Sequence, residues 1–131
     1  MKAKVIGYWA TTAILAFVLL SGGVAELMHW PDTAEGMAHL GYPAYFATIL
    51  GFWKVVGAIA VLAPRLPRLK EWAYAGVFFN LTGAFASHAV CGDDARHVWL
   101  PLVLAGVTIA SWALRPPGRR FGIIVPAWRR A

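Results

Sequence analysis

Residues 44–63 read Ala44-Tyr45-Phe46-Ala47-Thr48-Ile49-Leu50-Gly51-Phe52-Trp53-Lys54-Val55-Val56-Gly57-Ala58-Ile59-Ala60-Val61-Leu62-Ala63. Lys54 is the one charge in this stretch. At 1.5 Å per residue a helix of this length reaches about 30 Å, the thickness of a bilayer's hydrocarbon core. Polarity does not alternate along it, so it reads as a membrane-crossing helix and not as a barrel strand. Working outward, three more apolar stretches of spanning length appear, at about 5–27, 71–90 and 98–114. Together they predict an all-α fold, a transmembrane four-helix bundle formed by one domain over residues 1–131.

Composition agrees. Apolar residues make up 60% of the chain and charged residues 14%, against about 45–50% and about 25% in soluble domains. A soluble fold of this size has no interior large enough to hide so much apolar surface. The net charge of +6 and the pI near 10.0 would suit nucleic acid in a soluble protein. Here the basic residues stand in short clusters between apolar runs, which fits membrane topology and anionic headgroups and argues against nucleic acid. Cys91 is the one cysteine, so no intrachain disulfide and no paired-thiol chemistry can form.

The connections carry the orientation. Lys2 and Lys4, then Arg65, Arg68 and Lys70, then Arg115, Arg119, Arg120, Arg129 and Arg130 of the basic tail 115–131 all fall on one side of a four-span arrangement. The other side holds Arg96 with Glu26, Asp32, Glu35, Asp93 and Asp94. Positive residues stay cytoplasmic, so both termini are expected inside. An odd number of spans would destroy the pattern. The rival reading of the first run as a cleaved signal peptide meets a run longer than a signal's apolar core. Between the first two spans, Pro31 and Pro43 bracket a short helix expected to lie along the interface, with Asp32 or Thr33 as its cap and an end near Leu40. Trp30, Trp72, Trp99, Trp112 and Tyr42 fall near span ends and read as interface anchors.

Lys54 lies at mid-span, where a lysine costs about 2.5–3.5 kcal/mol and usually pairs, faces the interior and marks function. Its bland counterpart is a structural lysine bonded to backbone carbonyls. Side chains lean toward their own helix's N-terminus, so Lys54 leans outward while Asn80 and His88, on an antiparallel span, lean inward. Glu26 closes the first span on the same outer side. Lys54, Asn80, His88 and Glu26 are therefore the candidate ligand-binding residues, expected to converge on a polar cavity open to the outer face. Ala47, Gly51, Lys54 and Ala58 share one face of the second span, and Ala73, Gly76, Asn80, Gly83 and Ser87 share one face of the third. Small residues let helices approach closely in lipid, so these two spans are expected to pack there. His29, His39, His88 and His97 have neither zinc-helix nor paired-haem spacing, so no metal site is assigned. Glu71 suits a helix N-terminus, or a pairing with Arg68 or Lys70.

The motifs Gly41-Tyr42-Pro43-Ala44-Tyr45-Phe46, Gly51-Phe52-Trp53-Lys54-Val55-Val56-Gly57-Ala58, Pro64-Arg65-Leu66-Pro67-Arg68-Leu69-Lys70-Glu71-Trp72-Ala73-Tyr74-Ala75-Gly76 and Leu81-Thr82-Gly83-Ala84-Phe85-Ala86-Ser87-His88 resemble the DoxX-like family of small bacterial membrane proteins. The specific part of the likeness is roughly residues 41–88. It implies a four-helix membrane bundle in the bacterial cytoplasmic (inner) membrane. Lys54, Asn80 and His88 fall in its core motifs, and it implies no catalytic role for them. The family's namesake is a subunit of an archaeal thiosulfate:quinone oxidoreductase. More remote animal relatives resemble chaperones for receptor channels.

The leading expectation is an accessory membrane subunit that binds a quinone or another lipid-like molecule around Lys54. It has no redox centre of its own, so a membrane or peripheral oxidoreductase partner would supply electrons. The second reading is a non-catalytic assembly protein whose polar core only fixes helix register. The third is a small isomerase with Lys54 and Glu26 as acid and base. No independent enzymatic activity is assigned, and a transporter, usually larger or built from inverted repeats, ranks last.

Overall fold

The computed structural model describes residues 2–119. Helix α1 covers Lys2–Leu27, α2 Pro31–His39, α3 Ala44–Leu62, α4 Pro67–Val90 and α5 Ala95–Ala113, followed by a 3-10 turn at Pro117–Arg119. No strand forms among the described residues. Helices α1 and α3 are each long and apolar enough to cross a membrane. Large apolar side chains stand exposed on all four long helices, among them Phe17, Ile59, Phe79 and Val103. A surface of this kind suits acyl chains and is rare on a monomer in water.

The helix ends follow from local chemistry. Pro31 takes the first turn of α2, where its missing N–H needs no partner. The helix therefore starts at Pro31 after Trp30, with no side-chain cap from Asp32 or Thr33. Between α3 and α4 the chain reverses through Arg65 (φ 63°) and Leu66 (φ 53°), both left-handed. Such a conformation costs a non-glycine residue about 1–2 kcal/mol. Pro67 then opens α4. The helix thus begins ahead of the apolar limit at 71, and Arg68 and Lys70 lie in its first turn and not in a loop. Likewise α5 begins at Ala95, ahead of the apolar limit at 98, because Asp94 caps it by accepting from the His97 backbone N–H at 3.1 Å.

Helix α1 packs on α3 and α5, and α4 packs on α5 and α3; the α3–α4 contact is slighter than α1–α3 or α4–α5. The apolar core gathers Leu15, Leu19, Ala58, Val61, Tyr74, Val77, Leu81 and Ala105. The small face of α3 meets α1, which corrects the expectation that it meets the small face of α4. A Cβ on Gly51 would lie 2.7 Å from the Gly23 carbonyl oxygen and 2.9 Å from the Leu27 nitrogen. Only glycine permits that approach. On α4, a Cβ added at Gly76 or Gly83 would meet nothing within 4 Å.

A second set of polar groups holds the end where the α3–α4 turn lies. Thr12, Tyr74 and Ser111 are buried, with Ser111 Oγ 2.7 Å from Thr12 Oγ1 and 2.8 Å from the Tyr74 hydroxyl. Lys70 is fully buried. Its Nζ donates to the carbonyls of Ala60 (2.7 Å), Val61 (3.0 Å) and Ala63. Arg119 adds donation to Leu62 at 3.1 Å and Ala63 at 3.2 Å. Two cations therefore close the C-terminus of α3, satisfying carbonyls the helix leaves orphaned and opposing its dipole. Glu71 accepts from Arg115 Nη2 at 2.6 Å and from Trp112 Nε1 at 2.8 Å, so it ties α4 to the end of α5 and not to Lys70.

Candidate functional site

Lys54 lies ten residues in from Ala44 and eight short of Leu62, on the same α3 segment whose Gly51 touches α1. That contact decides its partner. Nζ donates to Glu26 Oε1 at 2.5 Å, with the Glu26 side chain 7% exposed and that of Lys54 21%. The ammonium group lies beside Gly22 of α1, where an added Cβ would stand 3.7 Å from Nζ, an ordinary contact. The pair uses one of three lysine N–H donors. Glu26 Oε2 is buried and has no hydrogen-bond partner among the described residues.

The slight packing of α3 on α4 leaves a cleft of about 320 Å³ between them, floored by Leu19 of α1. Lys54 and Asn80 are its polar lining residues; Leu50, Trp53, Val56, Ala60, Leu69, Trp72, Ala73 and Val77 supply apolar walls. Gly57 and Gly76 line it too, and a Cβ at either would project into open space. The volume falls within the usual range of small-molecule sites, about 300–1,000 Å³, and so does the pattern of apolar walls with few polar groups. Asn80, half-buried, makes no side-chain hydrogen bond to the described residues. The cleft extends from Lys54 and Asn80 toward Ala60, Leu69 and Trp72, that is toward the α3–α4 turn. The expected cavity would have opened at the other end, on the α2 side. At that other end Gly51 clamps α3 to α1 beside Glu26.

The structure therefore brings Lys54 to Glu26 and sets Lys54 and Asn80 on one cleft, and it takes His88 elsewhere. His88 Nδ1 lies 2.6 Å from Asp93 Oδ2, and His39 Nε2 lies 2.5 Å from Asp93 Oδ1. His97 Nδ1 sits 2.5 Å from Asp94 Oδ1, and the His88 and His97 rings are 5.7 Å apart. Tyr42 and Ser87 are joined through their hydroxyls at 2.5 Å. This cluster straps α2 to the α4–α5 loop. Hydrogen bonds from His88 and His39 hold the Asp93 carboxyl below its ordinary range, and the His97 side chain and backbone N–H do the same for Asp94. Among the described residues no group of three or more His, Cys, Asp or Glu is arranged to hold a metal ion.

Sequence reasoning missed the walls of the cleft. Gly57 follows Lys54 by three residues and Gly76 precedes Asn80 by four, so each shares a helix face with the polar residue. That spacing was the available signal for a cleft in place of a close contact.

Apolar helices of spanning length, a lipid-suited surface and an ion pair beside an interhelical cleft define a helical membrane-type protein with a polar site among its helices. The chain belongs to the DoxX-like family, whose sequence profile matches residues 10–111. It is 35% identical over 75 residues to the uncharacterized protein YdgD of Bacillus subtilis (strain 168), a stretch covering 57% of this chain and 65% of that protein. No solved structure matches it.

Proposed function

We propose that this protein is an accessory membrane protein that binds a lipid-like molecule in the α3–α4 cleft, with the polar end of the ligand at Lys54 and Asn80. The observation that carries this reading is a ligand-sized apolar cleft whose two polar lining residues stand together at mid-span. In this reading α1, α3, α4 and α5 form a transmembrane four-helix bundle in the bacterial inner membrane, both termini are cytoplasmic, and α2 lies on the outer surface. Arg119 supports that arrangement. It reaches the Tyr8 hydroxyl at 3.3 Å and the carbonyls at the end of α3, so the start of α1, the α3–α4 turn and the start of the basic tail share one end. A membrane or peripheral oxidoreductase is the proposed partner where the ligand is a quinol.

The test fills the cleft without disturbing the fold. Gly76→Leu places a side chain into open space, so its thermal stability in mild detergent is expected to match that of the parent. Mass spectrometry of co-purifying lipids is expected to show a species retained by the parent and lost from Gly76→Leu. Equal lipid content in both proteins would leave the assembly-protein reading in its place.

A further inference from the structure

The two lysines of the interior are bonded differently, and the difference defines the ligand. Lys70 places all three N–H donors on backbone carbonyls, so it is saturated by protein. Lys54 places one on Glu26 and has two with no acceptor among the described residues. Asn80 brings a carbonyl acceptor and an amide donor to the same cleft, neither bonded to the described protein. Unpaired donors and acceptors in an apolar setting are costly, so a fitting head group both accepts and donates. A quinone carbonyl or an ether only accepts.

Charge narrows the class further. The Lys54–Glu26 pair is neutral as a unit wherever its proton sits. An anionic head group would add an uncompensated charge beside a largely buried pair at mid-span, which low dielectric penalises heavily. A free fatty acid or a phosphate therefore fits poorly.

Resting on the reading of the cleft as a ligand site, we propose that its ligand is a neutral amphiphile whose head carries a hydroxyl, an aliphatic alcohol or a quinol, and not a quinone or an acyl anion. The hydroxyl accepts from Lys54 and exchanges hydrogen bonds with Asn80, while the tail follows the apolar walls toward Trp72.

Full-length protein in phosphatidylcholine nanodiscs would be titrated with ω-bromododecanol, its methyl ether and ω-bromododecanoate. With the head at Lys54 the bromine reaches the Trp72 end and quenches its fluorescence. The alcohol is expected to half-saturate the quench at a membrane mole fraction about tenfold or more below the ether and the carboxylate, since a site built to bond a hydroxyl rejects analogues lacking it. Trp72→Phe is expected to remove the quench and Gly76→Leu to prevent it. Displacement by a short-tailed quinol but not by its quinone would support the proposal with an aromatic head; displacement by neither would support it with an aliphatic one. Equal binding of ether and alcohol, tighter binding of the carboxylate, or displacement by the quinone would overturn the hydroxyl assignment and leave the cleft as a ligand site. Quenching by none of the three compounds would overturn both.

Discussion

At the scale of single residues, Lys54 and Glu26 stabilise one another by removing a cost each would impose alone. Lys54→Met strands a buried carboxylate, and breaking such a pair on one side costs about 3–5 kcal/mol. The lower end is expected, because the Lys54 side chain keeps 21% exposure. Lys54→Met combined with Glu26→Leu is expected to recover most of the loss. Thermal or denaturant unfolding of the four members of the cycle measures the coupling, and additive losses would show that the pair does not interact. Lys54 was legible in the sequence because a mid-span charge is anomalous by itself. Glu26 was legible as the one carboxylate of the first apolar run, near its end. His88 was misplaced because its partner, Asp93, lies five residues on, across a turn at Gly92 whose geometry hydropathy does not encode.

At the scale of elements, the ends of helices matter as much as their faces. Lys70→Met keeps the length of the side chain but leaves the carbonyls of Ala60, Val61 and Ala63 without its donors, at a cost of about 1–3 kcal/mol. Hydrogen exchange is expected to accelerate over residues 60–63 and to stay unchanged in α2; a variant with parental exchange there would show that Arg119 alone holds the end. A count of loop charges groups Lys70 with the charges of the turn, whereas the structure buries it in the first turn of α4. The strap on α2 gives a pH prediction. Asp93 has a depressed folded pKa relative to its ordinary 3.8. Its contribution is therefore present above the unfolded value and is lost as pH falls through the lower, folded one. Protection of the α2 amides, corrected for the intrinsic pH dependence of exchange, is expected to hold steady from neutrality to about pH 4 and to fall below it, with Asp93→Asn poorly protected throughout. The small-residue faces teach a related lesson. Sequence reveals that one face of α3 is small but not which neighbour takes it, and Gly51 chose Gly23 of α1.

At the scale of the whole molecule, the helical character of the chain was legible in its apolar runs, and two of the resulting helices, α1 and α3, are long and apolar enough to cross a membrane. The arrangement around them was not, since it depends on which of several glycine-bearing faces meet. Sidedness has a direct test. In a Cys91→Ser background, Gly36→Cys in α2 is expected to react with a membrane-impermeant maleimide added to intact cells, and Arg65→Cys in the α3–α4 turn only after permeabilisation. The reverse labelling would invert the proposed topology. The cleft itself opens on its flank, with Trp53 and Trp72 exposed beside Gly57 and Gly76. In the proposed membrane arrangement, an occupant of such a cleft would reach it by sideways diffusion within a leaflet. If the proposed reading holds, its occupancy would follow the two-dimensional abundance of that lipid, so even a shallow affinity would register membrane composition, and a solution assay with soluble ligands would overlook it.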